Sequence, residues 1–395
     1  MYSYDEVMTY CQEEDVKFIR LAFCDLTGRQ KNIAIMPEEL GRAFRYGISF
    51  DASAIPGFGD EVRSDLFLFP DPSTLSVLPW RSAQGQVVRM FCDIRRPDGS
   101  PFERDSRRLL KKAVEAAKEM GITCYFGAEF EFYLFRTGEN GEATRIPYDN
   151  AGYMDIAPED KGENVRREIC LTLVDMGIRP EGSHHEEGPG QNEIDFRYSD
   201  ALTAADNAVT FQAVVKTIAM QSGLSACFSP KPLPDQSGNG LHINMSLQGA
   251  KDQRQRDAFM AGILRHVREI TAFLNPTEES YLRLGEKKAP RYVTWSPENR
   301  SQLIRIPAAR GDAVRFELRS PDPGANPYIA YALLIYAGLE GIRTESSLCP
   351  PVNVNLFTAG PEVTDSLETL PASLPEALEL ARRSPLVARY MPEIL

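Results

Sequence analysis

The chain predicts an α+β protein of two domains, a small N-terminal one (residues 1–97) and a larger one (98–395). Three observations predict it. At 395 residues the chain is longer than a usual single domain. The segment Arg95-Arg-Pro-Asp-Gly-Ser-Pro-Phe102 places two prolines and a glycine directly after an apolar run. Beyond it, apolar stripes of helical period, each closed by a glycine, alternate with runs of period two. Long helices with several such strands point to an α+β domain on an antiparallel sheet.

Taken in order, residues 18–23, 66–69 and 87–94 are strand-like runs between Gly- and Pro-rich loops, so the first domain is mixed with few helices. Residues 105–120 carry apolar side chains at 109, 110, 113, 114, 117 and 120, a helical stripe with Gly121 as its C-cap. Residues 122–135 alternate as a strand. Residues 164–176 and 204–222 are helices ending at Gly177 and Gly223. Strand-like runs follow at 224–228, 241–246 and 315–319. No repeat and no low-complexity segment is visible.

Lys plus Arg is 44 and Asp plus Glu is 56, a net charge of −12, which makes nucleic acid and anionic membrane poor partners. The longest apolar stretch, 328–339, is 12 residues, against the roughly 20 that span a bilayer. The start Met1-Tyr-Ser-Tyr-Asp-Glu lacks the basic and apolar regions of a signal peptide. Seven cysteines, none in a Cys-x-x-Cys pair, fit a reducing cytoplasm better than a disulfide framework or a zinc finger. A cytoplasmic setting is therefore expected.

Four segments carry chemistry. In Gly127-Ala-Glu-Phe-Glu-Phe-Tyr-Leu-Phe135 a strand would put Glu129, Glu131 and Tyr133 on one face. Two carboxylates so placed repel unless a cation joins them; a half-exposed amphipathic strand is the equal alternative. Ser183-His-His-Glu-Glu-Gly-Pro-Gly-Gln-Asn-Glu193 sets two histidines beside three carboxylates around a tight turn. In Ser237-Gly-Asn-Gly-Leu-His-Ile-Asn-Met-Ser246, His242, Asn244 and Ser246 share a face, and the glycines permit close backbone approach to a ligand. Arg315-Phe-Glu-Leu-Arg319 lines up Arg315, Glu317 and Arg319, and Asn299-Arg-Ser-Gln-Leu-Ile-Arg-Ile-Pro307 adds Arg300 and Arg305. Such a stripe is either a solvated ion-pair face or a pair of guanidinium forks beside a metal. Oxygen-rich sites suit Mg²⁺ or Mn²⁺, and Arg clusters suit phosphates, so the set has the equipment of phosphoryl transfer. Neither a Walker-type phosphate loop nor the kinase motif set is present.

These segments resemble type I glutamine synthetases from about residue 15 to about residue 385. Further matches are Asp51-Ala-Ser-Ala-Ile-Pro-Gly-Phe-Gly and Arg315-Phe-Glu-Leu-Arg-Ser-Pro-Asp322. The resemblance implies an N-terminal β-grasp domain and a catalytic domain with a curved antiparallel sheet and flanking helices. It also implies active sites between subunits of a homo-oligomer, a hexameric ring that stacks into a dodecamer in many relatives. By resemblance, Glu131, Glu186 and Glu193 would hold one Mg²⁺ or Mn²⁺, and Glu129, His242 and Glu317 a second. Arg300, Arg305 and Arg315 would address the phosphates of ATP, with Glu181, Tyr198 and Ser246 near the nucleotide. Gly238, Arg283 and Arg319 would hold glutamate. Asp51, Glu186 and Arg300 would act in catalysis. The implied reaction phosphorylates the glutamate γ-carboxylate and lets ammonia or a small amine displace the phosphate.

The amine site departs from the family pattern. Asp51, Tyr153 and Glu186 match it, but Ala54 stands where the family has Ser. The flap reads Arg283-Leu-Gly-Glu-Lys-Lys-Ala-Pro290, one residue short, with Lys288 in place of a Glu, and Glu286 substitutes only if the loop re-registers. Asn244 replaces a phosphate-side His, and Ser237 replaces an Asn. Two enzymatic readings follow: a glutamine synthetase with a rearranged ammonium site, and a γ-glutamyl-amide ligase for a larger or differently charged amine. A glutamate- or ATP-sensing paralogue with little turnover is the reading from another class; the intact metal and Arg sets speak against it. Asn355-Leu-Phe357 has no hydroxyl where relatives are adenylylated. The chain stops about 45 residues before the family's C-terminal helical segment, so weaker or altered ring stacking is expected.

Overall fold

The computed structural model describes residues 2–59, 62–81, 85–286, 288–308 and 314–395. The N-terminal domain opens with helix α1 (Tyr4–Glu13), which Ser3 and Glu6 close with a reciprocal capping box. Strands β1 (Val16–Cys24) and β2 (Gln30–Ile35) follow, then α2 (Leu40–Tyr46), β3 (Ile48–Asp51), β4 (Asp65–Pro70), β5 (Ser76–Val77) and β6 (Gln86–Arg95). They form one sheet in the order β2-β1-β6-β4-β3, with β5 also on β6. Strands β1 and β6 run parallel, which the long connection between them permits. Ile19, Leu21, Leu68, Val88 and Ile94 fill a separate core under this sheet.

The catalytic domain starts at α3 (Ser106–Glu119), capped by Asp105. Then come β7 (Thr123–Thr137), β8 (Ala143–Pro147), α4 (Glu163–Asp175), β9 (Pro180–His185), β10 (Gln191–Phe196), β11 (Ser199–Asp200) and α5 (Ala201–Gln221). The chain continues through β12 (Leu224–Cys227), β13 (Leu241–Gln248), α6 (Gln253–Leu274), α7 (Glu278–Arg283), β14 (Trp295–Pro297), β15 (Ile304–Ile306) and β16 (Phe316–Leu318). It ends in helices α8 (Pro327–Arg343), α9 (Pro361–Thr364), α10 (Leu374–Arg383) and α11 (Pro385–Tyr390). The main sheet runs β14-β15-β16-β13-β7-β10-β9, with β8, β11 and β12 also on the long β7. The expected sheet is antiparallel at every pairing but one: β14 and β15 run parallel. Phe130, Phe132 and Leu134 of β7 point into the core with Phe211 and Phe228, so the alternate residues face the other way.

Helices α3, α4 and α5 lie within a few residues of their expected spans, and Gly121, Gly177 and Gly223 have φ of 73°, 83° and 71°, as C-cap glycines need. Two side chains tie the domains together. Arg107 of α3 pairs with Asp206 of α5 and with Asp71 of the N-terminal domain. Asn326 donates to the carbonyl oxygens of Asp25 and Leu26.

Candidate active site

Strand register assembles the polar face. Across β10 and β7, Glu193 stands opposite Glu131 and Asp195 opposite Glu129. Glu129 is in turn opposite His242 of β13, and His184 of β9 is opposite Glu193. Asn244 of β13 faces Glu317 of β16, and Glu317 faces Arg305 of β15. Acidic positions of distant segments thus become neighbours, Glu193 with Glu131 and Asp195 with Glu129, about 4.5–5.5 Å apart at the backbone in the usual antiparallel geometry.

Two ligand sets result. Donor atoms of Glu129, His242 and Glu317 lie within 4.8 Å of one another, as do those of Glu131, Glu193 and His242. A third group, His184, Glu186 and Glu193, shares Glu193 with the second. Burial and the charges of Asp195, Glu131, Glu129 and Glu186 push the Glu193 carboxyl well up. Burial and Glu129 push Asp195 up to about 7. Burial opposes ionisation of Glu129, but hydrogen bonds from His242 and Asn244 and the charge of Arg319 bring it down to about 2. Carboxylates this crowded, with oxygen and imidazole donors only, fit divalent cations of the Mg²⁺ or Mn²⁺ kind.

Glu131 is held by the Gly240 amide at 2.8 Å and the Gln191 side chain at 3.3 Å. A Cβ on Gly240 would lie 2.7 Å from His242 Nε2 and 2.8 Å from Arg283 Nη2, so any other residue there would push both side chains out of place. Glu317 is fully buried and accepts from Arg305 at 2.7 Å and Arg319 at 2.5 Å. The Nε atoms of Arg305 and Arg319 are buried without a partner, two donors left for a bound anion.

A cavity of about 470 Å³ opens on this face. Of the sequence-predicted residues, it is lined by Glu129, Glu131, Tyr153, Glu186, Glu193, Gly238, His242, Arg283, Lys288, Arg300, Arg305, Arg315 and Arg319. Glu181, Tyr198 and Ser246 line an adjoining space of about 170 Å³ that shares Glu129 and Arg315 with it. Tyr198, Ser246 and Arg315 also border an open groove of about 720 Å³. Asp51 and Ala54 do not join them: both are exposed on the N-terminal domain, where Asp51 caps a short turn through Ser53. Among the described residues the cavity has no wall from that domain.

Lys288, not Glu286, lines the cavity; Lys287 between them lies outside the described residues. Sequence reasoning gave no role to His184, Asp195, Glu187, Gln191 and Asn239, which the cavity or its supporting network uses. For Asp195, the alternation Glu193-x-Asp195 was the available signal. Asn244 bridges Arg315 and Glu129 at 2.9 and 2.7 Å, a cross-strand link that no local pattern announces.

Comparisons with known proteins agree with this geometry. The glutamine synthetase β-grasp domain model matches residues 15–97, and the glutamine synthetase catalytic domain model matches residues 103–395. A glutamine synthetase of Clostridium saccharobutylicum is 44% identical over 407 residues, covering 99% of this chain and 91% of that protein. One of Methanosarcina mazei is 44% identical over 404 residues, covering 98% and 90%. Among solved structures, a GmaS/ADP complex superimposes with a TM-score of 0.88 at 30% identity, covering 97% of this chain and 91% of that one. Plasmodium falciparum glutamine synthetase gives 0.87 at 25% identity, covering 100% and 95%. The chain belongs to the glutamine synthetase family.

Proposed function

We propose that this cavity is the active site of an ATP-dependent carbon–nitrogen ligase, which phosphorylates the glutamate γ-carboxylate and condenses it with ammonia or a small amine. The observation that carries the reading is the one cavity lining on which Glu129, Glu131, Glu193 and His242, donors of the two sets above, meet five arginines. Glu131, Glu186 and Glu193 would hold one divalent cation, and Glu129, His242 and Glu317 another. Such cations neutralise phosphate charge as it develops.

The chain's own groups complete the division of labour. Arg300, Arg305 and Arg315 face the space where the phosphates of ATP belong, and the groove beside Glu181, Tyr198 and Ser246 receives the nucleoside. Gly238, Arg283 and Arg319 border the glutamate end, where the unpartnered Arg319 Nε awaits a carboxylate. Transfer of phosphate turns a poor electrophile into an acyl phosphate. The amine nitrogen then forms the C–N bond while the C–O bond breaks and phosphate leaves with the electron pair. At the amine end Glu186 stands between His184 and the charge of Lys288, and Glu187 pairs with Lys288.

Asp51 and Ala54 would enter from a neighbouring subunit, in a hexameric ring stacked or single. Their exposure away from the cavity of their own chain supports this. The described cysteines are all free, and among the described residues no helix is long and apolar enough to cross a membrane. Both support a cytoplasmic setting.

The test is phosphate release from ATP with Mg²⁺ or Mn²⁺ and glutamate, comparing ammonium with alkyl, aryl and polyamines, with products weighed by mass spectrometry. A glutamate- and amine-dependent product supports a ligase and names the acceptor. Phosphate release without glutamate or amine would instead indicate a hydrolase, and none with any amine would indicate a paralogue of little turnover.

A further inference from the structure

The amine end of the cavity already binds an alkylammonium group, and the group is the chain's own. The Lys288 Nζ lies 2.5 Å from Glu187 Oε1 and 5.3 Å from the centre of the Tyr153 ring. Tyr153 is braced edge-on against His184, with ring centres 5.4 Å apart. A second carboxylate, Glu186, stands beside the pair and lines the same cavity. An aromatic face with two carboxylates is the recognition chemistry of a cationic amine.

The loop geometry makes this placement specific. Helix α7 stops at Arg283, which is buried and anchored to the carbonyl oxygens of Ser320 and Arg319. The Ala289 amide bonds to the Glu286 carbonyl, and Lys288 takes a φ of 67°, so the turn is set by the backbone. The turn leaves Glu286 out of the cavity lining and Lys288 in it.

We propose that Lys288 is a resident occupant of the acceptor site, a gate that the incoming amine displaces, and that the Tyr153 face it uncovers favours primary aliphatic amines over ammonium. The inference rests on the ligase reading above and names the acceptor class of the same site. The side chains of Lys288 and Glu187 are 49% and 39% exposed, so water screens their ion pair and opening is easy. An incoming R–CH₂–NH₃⁺ restores what Lys288 gave up, a charge on Glu187 and a cation over the Tyr153 ring, and adds its methylene to the ring face. Ammonium restores the charge and the cation–ring contact without the methylene. Once Lys288 has left and the amine is bound, one proton passes from its nitrogen to solvent. The nitrogen lone pair then forms the C–N bond, the acyl C–O bond breaks with its electrons on phosphate, and the second nitrogen proton passes to solvent.

The test compares wild type with Lys288→Met, which keeps the stem and removes the charge, and Lys288→Arg, which keeps the charge. Steady-state constants are measured for butylamine, ammonium, glutamate and ATP. Wild type should prefer butylamine. Lys288→Met should lower KM for both amines by the same factor, about tenfold, and leave their ratio unchanged, as expected when a cation–aromatic competitor common to both is lost. KM for glutamate and ATP should stay within about twofold, since that binding is untouched. Lys288→Arg should keep the wild-type preference. Unchanged amine KM in Lys288→Met, or a wild type that prefers ammonium, overturns the gate. Hydroxylamine trapping of the acyl phosphate separates the two claims: wild type that forms hydroxamate but fails the KM test refutes the gate alone. No hydroxamate and no phosphate with any amine refutes the ligase and the gate with it.

Discussion

Glu317 sits at the bottom of the site with no solvent exposure, and its two oxygens take hydrogen bonds from Arg305 and Arg319. Removing the carboxylate leaves two buried guanidinium groups without their counter-charge. Glu317→Ala should therefore cost about 3–5 kcal/mol, the usual cost of breaking a buried pair from one side. A urea midpoint equal to wild type would show that the arginines rearrange. The carboxylates around Glu193 have the opposite problem, too little positive charge. Glu193 is pushed up by burial and its acidic neighbours, and Asp195 up to about 7. An acid raised on folding binds its proton more tightly in the native state, so its favourable contribution is full at acid pH and is lost as pH rises toward 7. A divalent cation removes that penalty. At a hundredfold excess over Kd, Mn²⁺ should add about 2.7 kcal/mol of stability. The gain should be larger at pH 7.5 than at pH 5, where protons compete for the same oxygens. Melting curves with and without chelator at both values check this, and equal shifts would mean the carboxylates do not titrate together. The ligand types were legible because each sits in a short segment of polar density. Their pairing was not, because strand register is a long-range property that no local pattern encodes.

Elements were legible where one face is polar. Helix α3 showed its stripe at 109, 110, 113, 114, 117 and 120, and Leu109, Leu110, Ala113 and Ala117 are buried as that stripe demands. Helix α8 showed nothing of the kind. Residues Pro327 to Leu339 are all buried, so the helix is apolar all round and has no period to read. It registered only as an apolar stretch. Helix α6, beside it, was missed as well; Gly262 and Gly341 let the two approach until a Cβ on either would lie 2.7–2.8 Å from the other's backbone. The buried Arg107 is likewise unreadable locally, since an arginine near a helix start reads as solvated. In the fold it makes a bidentate pair with Asp206 of α5 and reaches Asp71 of the other domain at 3.0 Å, while Tyr328 of α8 donates to the same Asp206. Arg107→Met keeps bulk and removes the charge, stranding Asp206. It should lower unfolding free energy by about 3–5 kcal/mol. It should also loosen the join between domains, read as faster proteolysis near residues 95–102. A variant as stable as wild type would show that Lys111, which contacts Asp71 and Asp93, takes over the charge.

The whole molecule presents a site that one chain leaves open. Every described lining residue of the cavity lies between Glu129 and Arg319, in the catalytic domain, while Asp51 and Ala54 stand exposed on the β-grasp domain. The β-grasp sheet keeps its own core, so it can serve as a rigid presenting surface. If that surface completes a neighbour's cavity, each subunit contributes to two sites, and the two halves can be inactivated separately. Asp51→Asn should remove the amine-side carboxylate from the site next door, and Glu131→Gln should disable the subunit's own metal set. Each homo-oligomer should then be nearly inactive. Co-expression should restore activity, because a Glu131→Gln subunit still offers an intact Asp51 to a neighbour whose Glu131 is intact. With random mixing in a closed ring, roughly a quarter of the sites combine two intact halves. Recovered turnover near that fraction places Asp51 across the interface. If the mixture stays as inactive as its parents, both residues serve the same subunit, and the β-grasp domain must move onto its own cavity to act.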